Sequence, residues 1–252
     1  MRMNNRLTIP IARCLMLLWL VAVPVVLSAQ EYLQYEPRTR HFNFGITAGM
    51  DRNYHSVDMV YMSDMKFDKF RTGTVFGLRL GYAPLKWLSI NTGAVLIQKN
   101  YHMDHVTMQT NSTQIITQTT TENLYFNAPL MLDLSFGRRV RVHLNGGGYV
   151  GYWLFSHRSG TSYSLTYYTL GGDESANEFD EDVPFNETRD NRLDAGFTWG
   201  GGLSVNVWKG LNVSAEVRWY YGVLDIQNDY MRNLNPRYNT TIAYQAVISY
   251  SL

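Results

Sequence analysis

The main pattern along the chain is an alternation of apolar and polar residues with a period of two. From Leu193 to Trp208, one set of alternate positions is mostly apolar or aromatic, and the other set is small and polar. The same division recurs over residues 211–224 and 240–252. A period of two places the two sets on opposite faces of a β-strand. The pattern therefore predicts strands with one apolar and one polar face. The sequence has no sustained 3.6-residue period, so it does not predict a helical core.

Eight segments follow this pattern, and short and long connectors alternate between them. Short turns at one end and long loops at the other are typical of an outer-membrane barrel. The predicted strands are residues 41–50, 73–82, 87–98, 123–136, 140–154, 193–208, 211–224 and 240–252, with tight turns at 83–86, 137–139 and 209–210 and long polar loops at 51–72, 99–122, 155–192 and 225–239.

The polar face of these strands separates a membrane barrel from a soluble sandwich. In a soluble protein it would meet water and be rich in Lys and Glu, but here Gly, Ser, Thr and Asn dominate. An eight-stranded barrel leaves an interior just wide enough for side chains to fill it. We expect the few charges on this face to pair across the lumen and close it. The predicted ion-pair network comprises Arg79, Asp133, Arg141, Asp194, Glu216 and Arg218.

The prediction is therefore an all-β protein whose residues 41–252 form an eight-stranded antiparallel transmembrane up-and-down barrel of the outer-membrane type. An even number of strands brings both termini to the short-turn side, which we expect to be periplasmic, with the long loops extracellular. Tyr250 and Leu252 are typical of a C-terminal assembly signal. Aromatic residues lie near both ends of the predicted strands, as in interfacial girdles: Tyr82, Phe136, Trp208 and Tyr250 on the turn side, and Tyr152, Trp219 and Tyr221 on the loop side.

The first 29 residues have the order of a secretory signal peptide. Arg2, Arg6 and Arg13 precede an apolar run over residues 15–27, which ends in small residues. The run is shorter than the roughly 20 residues that a transmembrane helix needs. We predict cleavage after Ala29 and a short periplasmic segment over residues 30–40.

Composition limits the possible partners. The single cysteine, Cys14, lies inside the predicted signal peptide, so the mature chain has no disulfide. The formal net charge of +1 becomes slightly negative once the signal-peptide arginines are removed, which gives no reason to expect nucleic acid as a partner. The expected partners are outer-membrane lipids and, during biogenesis, the outer-membrane assembly machinery.

Two segments resemble the PorT-like outer-membrane barrel family of Bacteroidota. One is the run over residues 125–132 with Tyr125 and Pro129, and the other runs over residues 215–222 with Arg218 and Gly222. Asn127 stands where the family usually has Glu, so a lumen carboxylate expected from the resemblance is missing. The resemblance implies a barrel in the outer membrane and a possible role in protein secretion or envelope assembly.

The predicted loops contain two candidate sites for metal ions. His102, Asp104 and His105 supply imidazole and carboxylate ligands for a transition metal, but loop histidines without a fixed scaffold are more often solvated, which favours the solvated loop. The acidic residues over 173–187 suit calcium or a basic partner, but they lack EF-hand spacing, which favours a solvated loop. We expect no bound metal and no cofactor.

We therefore predict a non-enzymatic barrel that acts as a membrane scaffold or partner-binding component. Nothing in the sequence brings a serine, histidine and aspartate together in a recognisable catalytic motif. Two alternatives stay open. One is a narrow porin-like channel, and the other is a surface adhesin or ligand-binding barrel that uses the long loops.

Overall fold

The computed structural model describes residues 41–57, 65–110, 113–138, 140–168, 171–208, 210–228 and 236–252. The predicted signal peptide, its cleavage site at Ala29 and the segment 30–40 lie outside them. The described residues form ten β-strands. They are β1 (Phe42–Val57), β2 (Met65–Tyr82), β3 (Leu88–Gln98), β4 (Tyr101–Thr110), β5 (Thr113–Gly137), β6 (Val140–Tyr168), β7 (Gly171–Asp182), β8 (Leu193–Trp208), β9 (Leu211–Gly222) and β10 (Arg237–Ser251).

Eight of these strands close into an antiparallel ring, which confirms the predicted fold class. The ring runs β1, β2, β3, β5, β6, β8, β9, β10, and β10 pairs back onto β1 from Asn43↔Ser251 to Val57↔Arg237. Closure satisfies the backbone groups of every ring strand, which a strand edge in hydrocarbon could not do. Gly137 and Gly210 have positive φ angles of 119° and 97° and make two of the predicted tight turns possible. We call this the turn end of the barrel.

The remaining strands, β4 and β7, form part of a wall that continues beyond the ring. β4 pairs with the first residues of β2 and with β5, β5 continues to pair with β6, and β6 pairs with β7. The wall is thus a five-stranded sheet at the end opposite the turns, which we call the wall end. The predictions that residues 51–72, 99–122 and 155–192 are long loops are therefore wrong over most of the described residues of each segment, because the ring strands β1 and β2 also extend into the first of them. The sequences of the wall lack an apolar face, because the side chains that the wall buries are polar, such as His102, Thr119 and Thr121.

Side chains of the ring strands alternate between the lumen and the outer surface. The outer surface is apolar; Leu130, for example, is 63% exposed on it. Of the aromatic residues predicted to flank the lipid, Tyr82, Trp208 and Tyr250 are exposed near the turn end, and Tyr152, Trp219 and Tyr221 are exposed further along their strands. Within the described residues, no helix is both long and apolar enough to cross a membrane.

Candidate functional site

A charged network centred on Glu216 fills the turn-end half of the lumen. Arg79 donates one hydrogen bond to Glu216 at 3.0 Å and another to Asp133 at 3.1 Å. Arg218 donates to the second oxygen of Glu216 at 2.5 Å, and Asn145 donates to the same oxygen at 2.8 Å. We call these five residues the Glu216 network. Its two guanidinium groups balance its two carboxylates, as buried charge requires.

A second ion pair lies in the wall-end half of the lumen. The Lys99 ammonium is 2.5 Å from a carboxylate oxygen of Asp194, and both residues are 0% exposed. Tyr149 donates to Asp194 at 3.2 Å, and Asn239 donates to it at 3.2 Å. The ammonium also lies over the rings of Tyr125 and Tyr149, 4.8 Å and 4.9 Å from their centroids. We call these five residues the Lys99 cluster.

Polar and aromatic contacts connect the two groups along the lumen. Arg218 of the Glu216 network donates to the hydroxyl of Tyr220 at 3.4 Å. The ring of Tyr220 packs edge-on against Tyr149 of the Lys99 cluster, with centroids 5.4 Å apart. Side chains therefore fill the lumen through both layers, which leaves no wide aqueous path.

The structure brings together Arg79, Asp133, Glu216 and Arg218 from the residues that the sequence predicts as a network. Arg141 instead donates to the amide oxygen of Asn212 at 2.7 Å. Asp194 belongs to the Lys99 cluster, so the six residues do not form one network.

Lys99 is the residue that sequence reasoning missed. It lies one position past the end of a predicted strand, at the start of a stretch assigned to a polar loop. Continuing the alternation of that strand by one step, from the inward-facing Val95 and Ile97, would have placed Lys99 in the lumen.

The residues that carry the family resemblance lie around the Lys99 cluster or on the same strands. Tyr125 is a member of the cluster and stacks on Trp153, with centroids 5.7 Å apart. A Cβ on Gly222 would lie 3.2 Å from a carboxylate oxygen of Asp194, so this glycine leaves room for the acid. The carbonyl of Pro129 accepts a hydrogen bond from the hydroxyl of Thr92 at 2.9 Å. Of the predicted assembly signal, both Tyr250 and Leu252 are exposed.

The three candidate metal ligands do not converge. They lie on β4, where alternation puts His102 and Asp104 on one face and His105 on the other. The Nε2 of His102 is 3.0 Å from Asp104, and its Nδ1 accepts a hydrogen bond from Arg71 at 2.9 Å. Neither ring nitrogen is therefore free to bind a metal. Over the described part of the chain, no group of three or more His, Cys, Asp or Glu side chains could hold a metal ion.

The acidic segment of the wall is partly neutralised by β6. His157 lies between two carboxylates, 2.6 Å from Asp180 and 2.8 Å from Asp182. The hydrogen bond to Asp182 is the main cause that raises the pKa of His157 above its ordinary value, with Asp180 adding to it. On the other face of the hairpin, Arg158 pairs with Glu181. The acidic stretch predicted as a solvated loop is thus largely an edge strand with ordered charges.

A polar cavity of about 70 Å³ lies at the turn end, next to the Glu216 network. Arg79, Asp133, Arg141 and His143 line it, together with several serine and asparagine side chains. We call this cavity the vestibule. The lumen thus has a small polar opening at one end and a packed aromatic layer further in.

Comparison with known proteins supports the fold at the level of sequence. A family model for the outer membrane protein beta-barrel domain matches residues 29–228, which include β1 to β9. The chain belongs to this family. The protein is therefore an outer-membrane β-barrel, as the alternating pattern predicts. No curated protein sequence matches the chain.

Solved structures of other outer-membrane barrels are similar in fold to this family member. OprG from Pseudomonas aeruginosa is 14% identical, with 84% of this chain and 97% of that chain covered and a TM-score of 0.42. Ail from Yersinia pestis, solved with a heparin analogue, is 10% identical, with 83% and 99% covered and a TM-score of 0.37. The outer membrane protease OmpT from Escherichia coli is 8% identical, with 88% and 100% covered and a TM-score of 0.36. Nothing about the function of this chain follows from these similarities.

Proposed function

We propose that this outer-membrane barrel is a non-enzymatic scaffold whose wall binds a partner of the cell envelope. The observation that carries the proposal is the wall itself, a five-stranded sheet that extends beyond the lipid-facing surface. A protein that only needed to cross the membrane would not require it. The PorT-like sequence segments support a setting in secretion or envelope assembly.

The free edge of the wall indicates what kind of partner segment would bind there. Of the strands described, β7 pairs only with β6, so its other edge can accept a further strand. Four acidic residues are exposed along it, and one histidine and one arginine of β6 contact three of them, so the edge keeps an excess of acidic side chains: Glu178, Asp180, Glu181 and Asp182. An extended segment with basic side chains matches both the open backbone edge and the charge.

The filled lumen argues against the narrow-channel alternative. The Glu216 network and the Lys99 cluster lie in series along the lumen, and both consist of buried, paired side chains. Under this proposal the barrel anchors the wall, with the tight turns in the periplasm and the wall outside the cell. We expect the purified barrel to show no ion conductance in a planar lipid bilayer. Steady single-channel conductance would favour the channel.

A shortened wall tests the proposal directly. Gly160 and Phe179 are register partners on β6 and β7, so residues 161–178 can be replaced by a two-residue Asn-Gly turn without changing the pairing below. We expect this variant to fold, as shown by different migration before and after boiling in an SDS gel. It should lose the photo-crosslinks that a probe at Asp180 forms with an envelope protein in the intact chain, because the four residues of β7 that remain are too short an edge to pair with a partner strand.

The matched control carries the same photo-crosslinker at Leu130, on the lipid-facing surface. It should give no protein crosslink in either chain. Crosslinks at Asp180 that survive shortening, or a deletion strain with unchanged secretion and envelope integrity, would contradict the scaffold proposal. An adhesin is the second candidate, since it would use the same wall. It predicts crosslinks to a host surface rather than to a protein of the same envelope.

A further inference from the structure

The charges around the vestibule do not balance. Arg79 and Arg218 are matched by Asp133 and Glu216, with which they form ion pairs. Arg141 adds one more positive charge to the vestibule lining. Over the described residues, its hydrogen bond to Asn212 involves no carboxylate. An unmatched charge inside a barrel surrounded by lipid attracts an ion of opposite sign.

The backbone register places hydrogen-bond donors next to Arg141. Arg141 on β6 pairs with Ser204 on β8, and Ser204 pairs with Ser214 on β9. His143 lies two residues along β6, on the same inward face as Arg141. All four residues line the vestibule, so they form one continuous patch on its wall.

Two nitrogen atoms of this patch lack partners. Nε of Arg141 and Nε2 of His143 are buried and make no hydrogen bond with the described residues. The nearest acid to His143 is Glu216, at 3.7 Å, which is too long for a hydrogen bond. His143 itself is only 5% exposed. A buried polar atom without a partner costs about 1–3 kcal/mol, which a ligand with acceptor oxygens would recover.

The size of the vestibule limits what the ligand can be. A volume of about 70 Å³ has room for about five to seven water molecules by the usual minimum of 10–15 Å³ each. A tetrahedral oxyanion, with one central atom and four oxygens, fits within that room. Lipid headgroups remain outside the ring of strands, so the ligand must enter from the aqueous side at the turn end.

We propose that the vestibule binds a free phosphate-sized oxyanion, held by Arg141 with donors from His143, Ser204 and Ser214. The oxyanion supplies the negative charge that the lining lacks, and its oxygens accept hydrogen bonds from the guanidinium group and the hydroxyls. This site is separate from the wall and does not depend on what the wall binds.

Calorimetric titration of the folded full-length barrel with inorganic phosphate tests the site. The barrel is held in a detergent without phosphate groups, and we expect saturable binding of one phosphate per chain. Arg141→Gln should weaken binding about tenfold or more, since one charge-assisted bond is worth roughly 1.5–3 kcal/mol and 1.4 kcal/mol is a factor of ten. Arg141→Lys keeps the charge and should stay within a few fold of the natural chain.

Arg52→Gln is the matched control, because Arg52 is exposed on the outer surface and its loss changes the net charge equally. It should leave phosphate binding unchanged. No saturable binding, equal affinity in Arg141→Gln, or equal losses in both variants would overturn the proposal. If Arg141→Gln fails the gel-migration test of folding, the Ser204→Ala/Ser214→Ala variant replaces it, with a loss of several fold expected and no loss overturning the site.

A second experiment distinguishes binding of a free oxyanion from binding of the phosphate in a lipid headgroup. Titration is repeated with the barrel in phosphatidylcholine vesicles, whose headgroups carry phosphate. The same affinity as in detergent supports a site inside the lumen that only free oxyanions reach. Phosphate affinity lost in vesicles would show that headgroups compete, and would overturn the assignment to a free oxyanion.

Discussion

The Glu216 network and the Lys99 cluster hold buried charge in the same lumen by different means. The Glu216 network shares two carboxylates among two arginines and an asparagine, next to the polar vestibule. The Lys99 cluster has a single ion pair, enclosed by aromatic rings and one asparagine. The first can redistribute its hydrogen bonds when one partner is lost. The second contains one ion pair and shares it with no other charged group within 4 Å among the described residues, so we expect it to be the more sensitive of the two.

Removal of the Lys99 ammonium should have the largest effect on the free energy of unfolding. Lys99→Met leaves the Asp194 carboxylate buried without a counter-charge, which costs about 3–5 kcal/mol of unfolding free energy. Urea unfolding of the barrel in lipid vesicles measures this loss. The double variant Lys99→Met/Asp194→Leu should recover most of it, because the Asp194 carboxylate is removed together with its counter-charge and the buried Asp51 is common to both variants. A loss below about 1 kcal/mol in the single variant, well under the usual cost of breaking a buried pair, would contradict the description of a dry, unshared ion pair.

A smaller loss is expected from Glu216→Gln in the other layer. Arg218 loses its paired carboxylate, but it keeps one acceptor oxygen on the glutamine and its bond to Tyr220, and Asp133 still pairs with Arg79. The expected cost is therefore about 2–3 kcal/mol, the range for lost charge-assisted hydrogen bonds. The same urea titration gives the value. If this variant loses more stability than Lys99→Met, the comparison between the layers is reversed.

Tyr149→Phe examines how much the aromatic enclosure contributes through its hydroxyl. The change removes the donor to Asp194 and keeps the ring beneath the Lys99 ammonium. We expect a loss of about 1.5 kcal/mol, the lower end of the range for one hydrogen bond to a charged group, because this bond is long at 3.2 Å. Tyr152→Phe is a suitable control, since Tyr152 is exposed on the outer surface. Equal losses in the two variants would show that the hydroxyl of Tyr149 is not specifically used.

The exposed pair on the wall should give the smallest effect. Asp182 and Asp180 raise the pKa of His157, so the folded state favours the protonated imidazole. Any stability that this contributes is fully present below the unfolded pKa, near 6.5, and is lost as pH rises through the higher folded pKa. An NMR titration should show that Asp182→Asn lowers the pKa of His157. The shift should shrink in high salt, because exposed charges are screened; a salt-independent shift would contradict this.

The sequence predicts the ring strands well because lipid requires a strict alternation. Arg79, Asp133, Glu216 and Arg218 are identifiable as lumen residues by their polar positions in apolar strands. Which of them touch is a different matter, since contact across the lumen depends on the tilt and register of all eight strands. The bond from Asn239 to Tyr125 joins residues 114 positions apart in the chain. No local pattern encodes such a pairing.

The sequence does not predict the wall, for a related reason. Its strands have no lipid-facing side, so the hydrophobic signal that defines a membrane strand is absent. The threonine-rich stretch over residues 113–121 is the one local indication, because β-branched residues favour extended backbone. Strand pairing between β4, β5 and β6, rather than the burial of apolar side chains, maintains the sheet there.

Closure of the barrel depends on the pairing of β1 with β10, which we call the seam. It joins the first and last strands of the ring, so partners such as Asn43 and Ser251 are separated by nearly the whole folded chain. Contacts between such distant residues form late, because the chain entropy lost in closing the loop must be overcome first. Until then, two long strand edges remain unpaired and able to recruit other chains. Shortening β10 would therefore prolong the open intermediate, and the expected outcome is aggregation during assembly rather than a slightly smaller barrel.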